Sequence, residues 1–160
     1  MERGHLIRGL AALLVISAVV PVAAAAGATA FHWSIVAEGA TEANAAPTSV
    51  GYLAVTRTQE ARFAGRLSSH DRDVLRGVDL TTTGVVAVFL YGIPCGSKAR
   101  VDQVARTAST LNVEVSYVPP PLGVGTCVRV STPYFVVGVA RRALGRPAPS
   151  RVRVVAVART

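Results

Sequence analysis

The chain has 160 residues, of which 51% are hydrophobic, and a formal net charge of +8 at neutral pH. This length is enough for one domain with its own core. The charge indicates weak, salt-dependent binding of anionic partners. Nucleic acid is the usual partner of so basic a protein, but the export signal described next argues against it.

Residues 1–30 have the three parts of a secretory signal peptide. A basic head is followed by an uncharged apolar stretch and by the Ala-x-Ala sequence Ala28–Ala30. We predict cleavage after Ala30, with cleavage near Ala25 or Ala26 as the second choice. The alternative is a retained membrane anchor, because about 20 uncharged residues can cross a bilayer once. Both interpretations place the rest of the chain outside the cytoplasm, at the cell surface, in the periplasm or secreted.

Residues 31–49 are mostly small and polar and have no periodicity, which predicts a linker before a folded domain over residues 50–160. Val50–Thr56 has the composition of a strand. Thr58–Leu67 predicts a short helix with Thr58 as its N-cap. The polar residues 68–77 are expected to form a surface loop.

The strongest strand signal is Gly84–Tyr91, which is apolar on both faces and predicts a central strand buried on both sides. Leu111–Tyr117 alternates between apolar and polar residues, which is typical of a half-exposed antiparallel strand. Further strands are predicted over Ala99–Val104, Tyr134–Ala140 and Val152–Val157. The pattern predicts a mainly β (α+β) protein, a small antiparallel sandwich or half-barrel with one short N-terminal helix.

Cys95 and Cys127 are the two cysteines of the chain. In an exported protein an even pair predicts one disulfide, which would stabilise the fold by about 3–4 kcal/mol. A metal site or a reactive thiol is the alternative. A metal site would need two more ligands, and only His32 and His70 remain in the exported part.

Residues for catalysis are scarce in the sequence. It contains neither a nucleophile elbow nor a phosphate-binding glycine loop. His70 and Asp71 are a candidate base and its orienting acid, but both are expected to lie in a solvated loop. We therefore expect no catalytic residues, no metal and no cofactor.

The C-terminal end is rich in arginine. Arg151 and Arg153 share one face of a predicted strand because they are two residues apart. A candidate anion-binding patch consists of Arg141, Arg142, Arg146, Arg151 and Arg153. The alternative is a solvent-facing sheet edge, where charge discourages aggregation.

A series of short segments follows a recognisable order. These are Val78–Leu80, the strand Val85–Leu90, a Pro/Gly loop from Gly92, a strand with Val101 and Val104, Val113–Tyr117, Pro119–Pro121, Thr132–Tyr134 and Val136–Val139. Upstream lie Val55–Glu60 and Phe63. This order resembles the C-terminal domain of the PrcB-like family, exported bacterial domains named for a subunit of a surface protease complex. The resemblance covers about residues 50–144.

The resemblance implies a small β-rich accessory domain without catalytic residues. The family loop usually contains a second glycine and a Tyr that this chain lacks, and Cys95 stands where a small polar residue is common. A candidate interaction loop consists of Gly92, Pro94, Gly96 and Lys98. Our first hypothesis is an exported interaction domain with a protein partner in the cell envelope, for which a protease is one candidate. The alternatives are a basic binder of anionic lipid or wall polymer and, third, a small secreted hydrolase.

Overall fold

The computed structural model describes residues 28–42, 48–121 and 131–159. Its strands are β1 (Thr29–Ala30), β2 (Trp33–Glu42), β3 (Val50–Ala54), β4 (Thr83–Phe89), β5 (Lys98–Thr107), β6 (Thr110–Val118), β7 (Ser131–Ala140) and β8 (Arg151–Ala158). Its helices are α1 (Arg57–Ala64), α2 (Ser69–Arg76) and the short 3₁₀ helix η1 (Arg141–Leu144). In the described part of the chain, none of the helices has the length and hydrophobicity needed to span a bilayer.

The strands form two four-stranded sheets. Sheet A has the order β1-β5-β6-β8, in which β6 and β8 are parallel and the other pairs are antiparallel. Sheet B has the order β2-β7-β4-β3 and is antiparallel throughout. The prediction of a mainly β protein built as a small sandwich is confirmed.

Sheet B lies in the middle of three layers and is buried on both faces. On one face Val86, Val88 and Val137 pack against Val104 and Val113 of sheet A. The other face is covered by the helices, and the side chains that meet there are Phe63, Leu67, Leu75, Val85, Ala87, Phe89, Tyr134 and Val136. Since β4 is central and buried along nearly its whole length, the prediction for this strand is confirmed.

The predicted linker over residues 31–49 is wrong for most of its length. Strand β2 pairs with β7 from Trp33 opposite Val139 to Glu42 opposite Ser131. At Gly39 a small residue is needed because its neighbour is close: a Cβ atom added there would lie 2.7 Å from the hydroxyl of Tyr134. Strand β2 is an edge strand with few buried apolar residues, and composition alone does not distinguish such a strand from a linker.

The predicted surface loop over residues 68–77 is also wrong, since it contains α2. The Ser68 hydroxyl accepts a hydrogen bond from the backbone N–H of Asp71 at 3.1 Å and caps this helix. Leu75 is its one buried residue. The first helix begins earlier than predicted, because Thr56 and not Thr58 is its N-cap.

Arg57 joins the two helices. Its Nη2 atom donates to the carbonyls of Arg76 at 2.9 Å and Val78 at 2.6 Å; Arg76 is the last residue of α2 and Val78 lies just after the helix. Its Nη1 atom pairs with the buried carboxylate of Glu60. The helix layer is therefore held together by one guanidinium as well as by apolar contacts.

The segment from β1 to β2 connects the two sheets. Thr29 and Ala30 pair with Arg106 and Ala105 of sheet A, and the N–H of Phe31 donates to Val104 at 2.8 Å. The chain then passes into sheet B as β2. The predicted signal peptide lies mostly outside the described residues. Its predicted cleavage point after Ala30 lies within them, directly after the last residue of β1.

If residues 1–30 act as the predicted signal peptide, we expect the mature chain to keep β1 and to begin near Gly27, which corresponds to cleavage near Ala25 or Ala26. Cleavage after Ala30 would remove both residues of β1 and expose the edge of β5. Intact mass of the protein recovered from its host measures the mature N-terminus. A mass that corresponds to a chain beginning at Phe31 would contradict this expectation.

Candidate functional site

A cleft of about 850 Å³ opens where β3 ends, β4 begins and β7 passes into η1. It is lined by Val55, Thr81, Thr82, Ala140, Arg141, Arg142, Leu144, Gly145, Arg146 and Ala148. Three residues of the predicted anion-binding patch, namely Arg141, Arg142 and Arg146, are therefore brought to one cavity. We call it the arginine cleft.

Arg141 is held in the wall of the arginine cleft by backbone carbonyls. Its Nη1 atom donates to Val55 and to Leu80, both at 2.6 Å, and its own N–H donates to Thr82 at 2.8 Å. A guanidinium has five N–H donors. The two on Nη1 are taken by the carbonyls of Val55 and Leu80, which leaves the three on Nε and Nη2. The positive charge consequently has a fixed position, and the same side chain fastens the end of β3 to the segment before β4.

The turn that carries Arg142 and Arg146 is also braced. Leu144 is buried and packs against Gly84 of β4, where a Cβ atom would overlap its Cδ1 atom. Arg106 of sheet A donates to the carbonyls of Leu144 and, at 3.3 Å, of Pro147. Arg142 and Arg146 themselves are exposed. Two exposed cationic side chains thus lie on a turn that contacts both sheets.

The charge around the arginine cleft is positive. Among the described residues that line it there are three guanidinium groups and no carboxylate. Asp79 is exposed and does not line the cleft, and it accepts hydrogen bonds from the hydroxyls of Thr81 at 2.7 Å and Thr82 at 3.0 Å. These bonds, that of Thr81 first, lower the pKa of Asp79. One carboxylate beside three guanidiniums still leaves an excess of positive charge.

The remaining two residues of the predicted patch lie elsewhere. Arg151 and Arg153 are exposed on β8, at the edge of sheet A, opposite Thr110 and Asn112 of β6. They do not line the arginine cleft. The predicted patch is therefore divided between a cavity and an open sheet face.

The predicted interaction loop forms a tight turn after β4. Gly92 and Gly96 have φ angles of 76° and 78°, a left-handed backbone that favours glycine. The N–H of Ser97 donates to Pro94 at 3.1 Å. Within the described residues there is no free cysteine. Since Cys127 lies outside them, the pairing of Cys95 with Cys127 stays a prediction.

Lys98 begins β5 and lines a smaller cleft of about 370 Å³ together with Ala99, Arg100, Ser116, Val118 and Arg159. Here the charges are partly paired, because Asp102 binds Arg100 at 2.9 Å and Arg159 at 3.1 Å. This cleft therefore offers less positive charge to a ligand than the arginine cleft does.

Sequence reasoning missed a polar cluster that joins α2 to sheet B. The hydroxyls of Tyr134 and Ser68 both donate to the Asp71 carboxylate, the latter at 2.7 Å. The backbone N–H of Ser68 donates to the Tyr134 hydroxyl at 3.2 Å. The sequence signal that predicts the start of α2 is Ser68-x-x-Asp71, a pattern typical of a helix N-cap. His70 is exposed, and the carboxylate next to it is engaged by Tyr134.

Hydrogen bonding sets the protonation of this cluster. The hydroxyl of Ser68, followed by that of Tyr134, holds the pKa of Asp71 below its ordinary value of 3.8. Burial, followed by the hydrogen bond to Asp71, raises the pKa of Tyr134 above 10.0. A neutral phenol thus donates to an ionised carboxylate at neutral pH, which is an arrangement that fastens α2 and lacks an activated nucleophile.

We expect the Asp71→Asn variant to lose part of the acid sensitivity of folding. The carboxyl of Asp71 binds a proton more weakly in the folded than in the unfolded chain, so its stabilisation is complete above its ordinary pKa of 3.8 and is lost as pH falls through the lower folded value. Urea unfolding from about pH 2 to pH 7 measures this. Asp73→Asn, an exposed change on the same helix, is the control. Equal acid dependence in Asp71→Asn and in the unchanged protein would contradict the assignment.

Comparison with known proteins gives no relative. No family model, no curated protein and no solved structure matches this chain. The similarity to the PrcB-like family stays a prediction.

Proposed function

We propose that this protein is an exported binding domain that holds an anionic group of an envelope component in the arginine cleft. The observation that carries the proposal is the convergence of Arg141, Arg142 and Arg146 on one cavity whose described lining contains no carboxylate. Guanidinium groups bind carboxylates and phosphates through paired, charge-assisted hydrogen bonds. A cavity that concentrates three of them favours such groups over neutral ones.

The construction of the cleft supports binding. Arg141 is immobilised by the carbonyls of Val55 and Leu80, so part of the site is preorganised before a ligand arrives. Arg142 and Arg146 are exposed and can adjust to the ligand. The fixed Arg141 would orient the anionic group of a ligand. The exposed Arg142 and Arg146 would accommodate ligands of different shape.

The envelope supplies partners of the required charge. The signal peptide expected over residues 1–30 would deliver the domain to a compartment that contains anionic lipid and wall polymer. An acidic partner protein, as the resemblance to the PrcB-like family implies, would present carboxylates to the same cleft. Both earlier hypotheses, an interaction domain and an anion binder, are joined in this proposal.

The test compares two double variants with the same change in net charge. Arg142→Gln with Arg146→Gln is expected to weaken binding of pyrophosphate at least ten-fold, because a hydrogen bond to a charged group contributes about 1.5–3 kcal/mol. Arg151→Gln with Arg153→Gln is the control and should bind nearly as the unchanged protein does. Arg141 is left intact because its loss would release two backbone carbonyls. Isothermal titration calorimetry at low salt measures both.

An equal loss in the two double variants would contradict the proposal. It would show that pyrophosphate responds to the net charge of +8 and not to a site. Binding that is unchanged in Arg142→Gln with Arg146→Gln would contradict it as well.

A further inference from the structure

The walls of the arginine cleft are apolar between the guanidinium groups. Val55 and Ala148 are half-buried, and Ala140 is exposed, so all three leave apolar surface in the cavity. Leu144 is nearly fully buried and completes the lining. An inorganic anion would leave this apolar surface in contact with water.

The cleft is also far larger than one anionic group requires. Its volume of about 850 Å³ lies within the range of roughly 300–1,000 Å³ that is typical of small-molecule sites. Two of its lining residues, Ala140 and Ala148, have small side chains and leave this space open. A ligand that fills the cleft must have an uncharged part in addition to its anionic head group.

We infer that the arginine cleft binds an amphiphilic anion, with a phosphate or carboxylate head on the arginines and an apolar chain along Val55, Ala140 and Ala148. The inference rests on the proposed function and specifies its ligand class. Burial of the chain supplies affinity in proportion to the apolar area removed from water, while the arginines orient the head. Two sources share this chemistry: a phospholipid in a membrane and a soluble acyl or alkyl anion.

The test compares octyl phosphate, used below its micelle concentration, with inorganic phosphate by titration calorimetry. Octyl phosphate is expected to bind at least ten-fold more tightly, since each buried methylene group contributes about four-fold. Octyl trimethylammonium, with the same chain and the opposite charge, should not bind. Equal affinity for octyl phosphate and inorganic phosphate would overturn the inference and leave the proposed function intact. No arginine-dependent binding of either anion would overturn both.

A variant of the cleft separates the chain from the head. Val55→Thr keeps the shape of the side chain and replaces one methyl group with a hydroxyl, so it should weaken octyl phosphate several-fold and leave inorganic phosphate unchanged. Val157→Thr, on an exposed position of β8, is the matched control. Equal effects of Val55→Thr on both anions would count against a chain along Val55, while retained phosphate binding shows that the variant is folded.

Vesicles identify the source of the ligand. Phosphatidylglycerol vesicles that bind the protein and release it on addition of octyl phosphate would support the inference with a membrane lipid as the source. Vesicles that fail to bind while octyl phosphate does would support it with a soluble amphiphile.

Discussion

Replacement of Phe63 by Ala is expected to lower the free energy of unfolding by about 3–5 kcal/mol, the usual loss for a buried aromatic side chain. Phe63 is fully buried and is the main apolar contact of α1 with sheet B. Its ring centroid lies 6.0 Å from that of Tyr52, and the ring of Tyr52 meets that of Phe89 edge-on at 6.0 Å. Without the Phe63 side chain a cavity would remain between α1 and these rings.

Urea unfolding of Phe63→Ala measures this loss, which is a large share of the roughly 5–15 kcal/mol typical of a domain. Phe63→Leu is the control and should lose less because it fills most of the space. Arg66 lies over the rings of Tyr52 and Phe89, with its Cζ atom 5.3 Å from the ring centroid of Tyr52. A loss under about 1 kcal/mol in Phe63→Ala would show that α1 contributes little to the core.

Replacement of Gly51 by Ala is expected to lower the free energy of unfolding by about 2–3 kcal/mol, through overpacking between the sheets. A Cβ atom on Gly51 of β3 would lie 2.9 Å from Cβ of Val152 and 3.1 Å from Cγ2 of Val154, both on β8. These valines are β-branched and cannot rotate away freely. The two sheets would have to separate at this point.

The matched control for Gly51→Ala is Gly65→Ala, after α1, where an added Cβ meets no atom within 4 Å. Thermal or urea unfolding of both variants gives the comparison, and Gly65→Ala should change stability little. Combination of Gly51→Ala with Val152→Ala should restore part of the loss, because the overlapping side chain is then removed. If Gly51→Ala were as stable as Gly65→Ala, the close approach of β3 and β8 would be wrong.

The strands of the core could be predicted from the sequence because their side chains report burial directly. Residues 84–89 of β4 are all apolar and buried, which is typical of a strand covered on both faces. Leu111, Val113 and Val115 alternate in β6 as predicted and are all buried. The parallel pairing of β6 with β8 has no such signal, because it depends on where the chain returns after η1.

The elements that were missed bury little apolar surface of their own. In β2 the one buried residue is the small Ala37, and Gly39 lies close to Tyr134. In α2 one residue, Leu75, is buried, and polar contacts of Asp71 and Ser68 add to its packing. Neither produces the periodic apolar pattern on which the predictions depended.

The site could be predicted in part. The excess of arginine near the C-terminus was visible, but its division into Arg141, Arg142 and Arg146 on one side and Arg151 and Arg153 on the other was not. The division follows from the turn between β7 and β8, whose geometry depends on Arg106 from a distant strand. Tertiary contacts of this kind leave no trace in local sequence.

The pairing of β2 with β7 has a consequence for the time at which this protein folds. Sheet B contains a strand from near the beginning of the chain beside one from near its end, so it cannot close before β7 has been synthesised. Long-range pairing of this kind is slow, because the intervening loop must be closed before the contacts form. For the export proposed above, in which the chain would pass through a translocation channel in extended form, such delay would be an advantage. The order of strands in sheet B would thus keep this sheet unformed until β7 has been made.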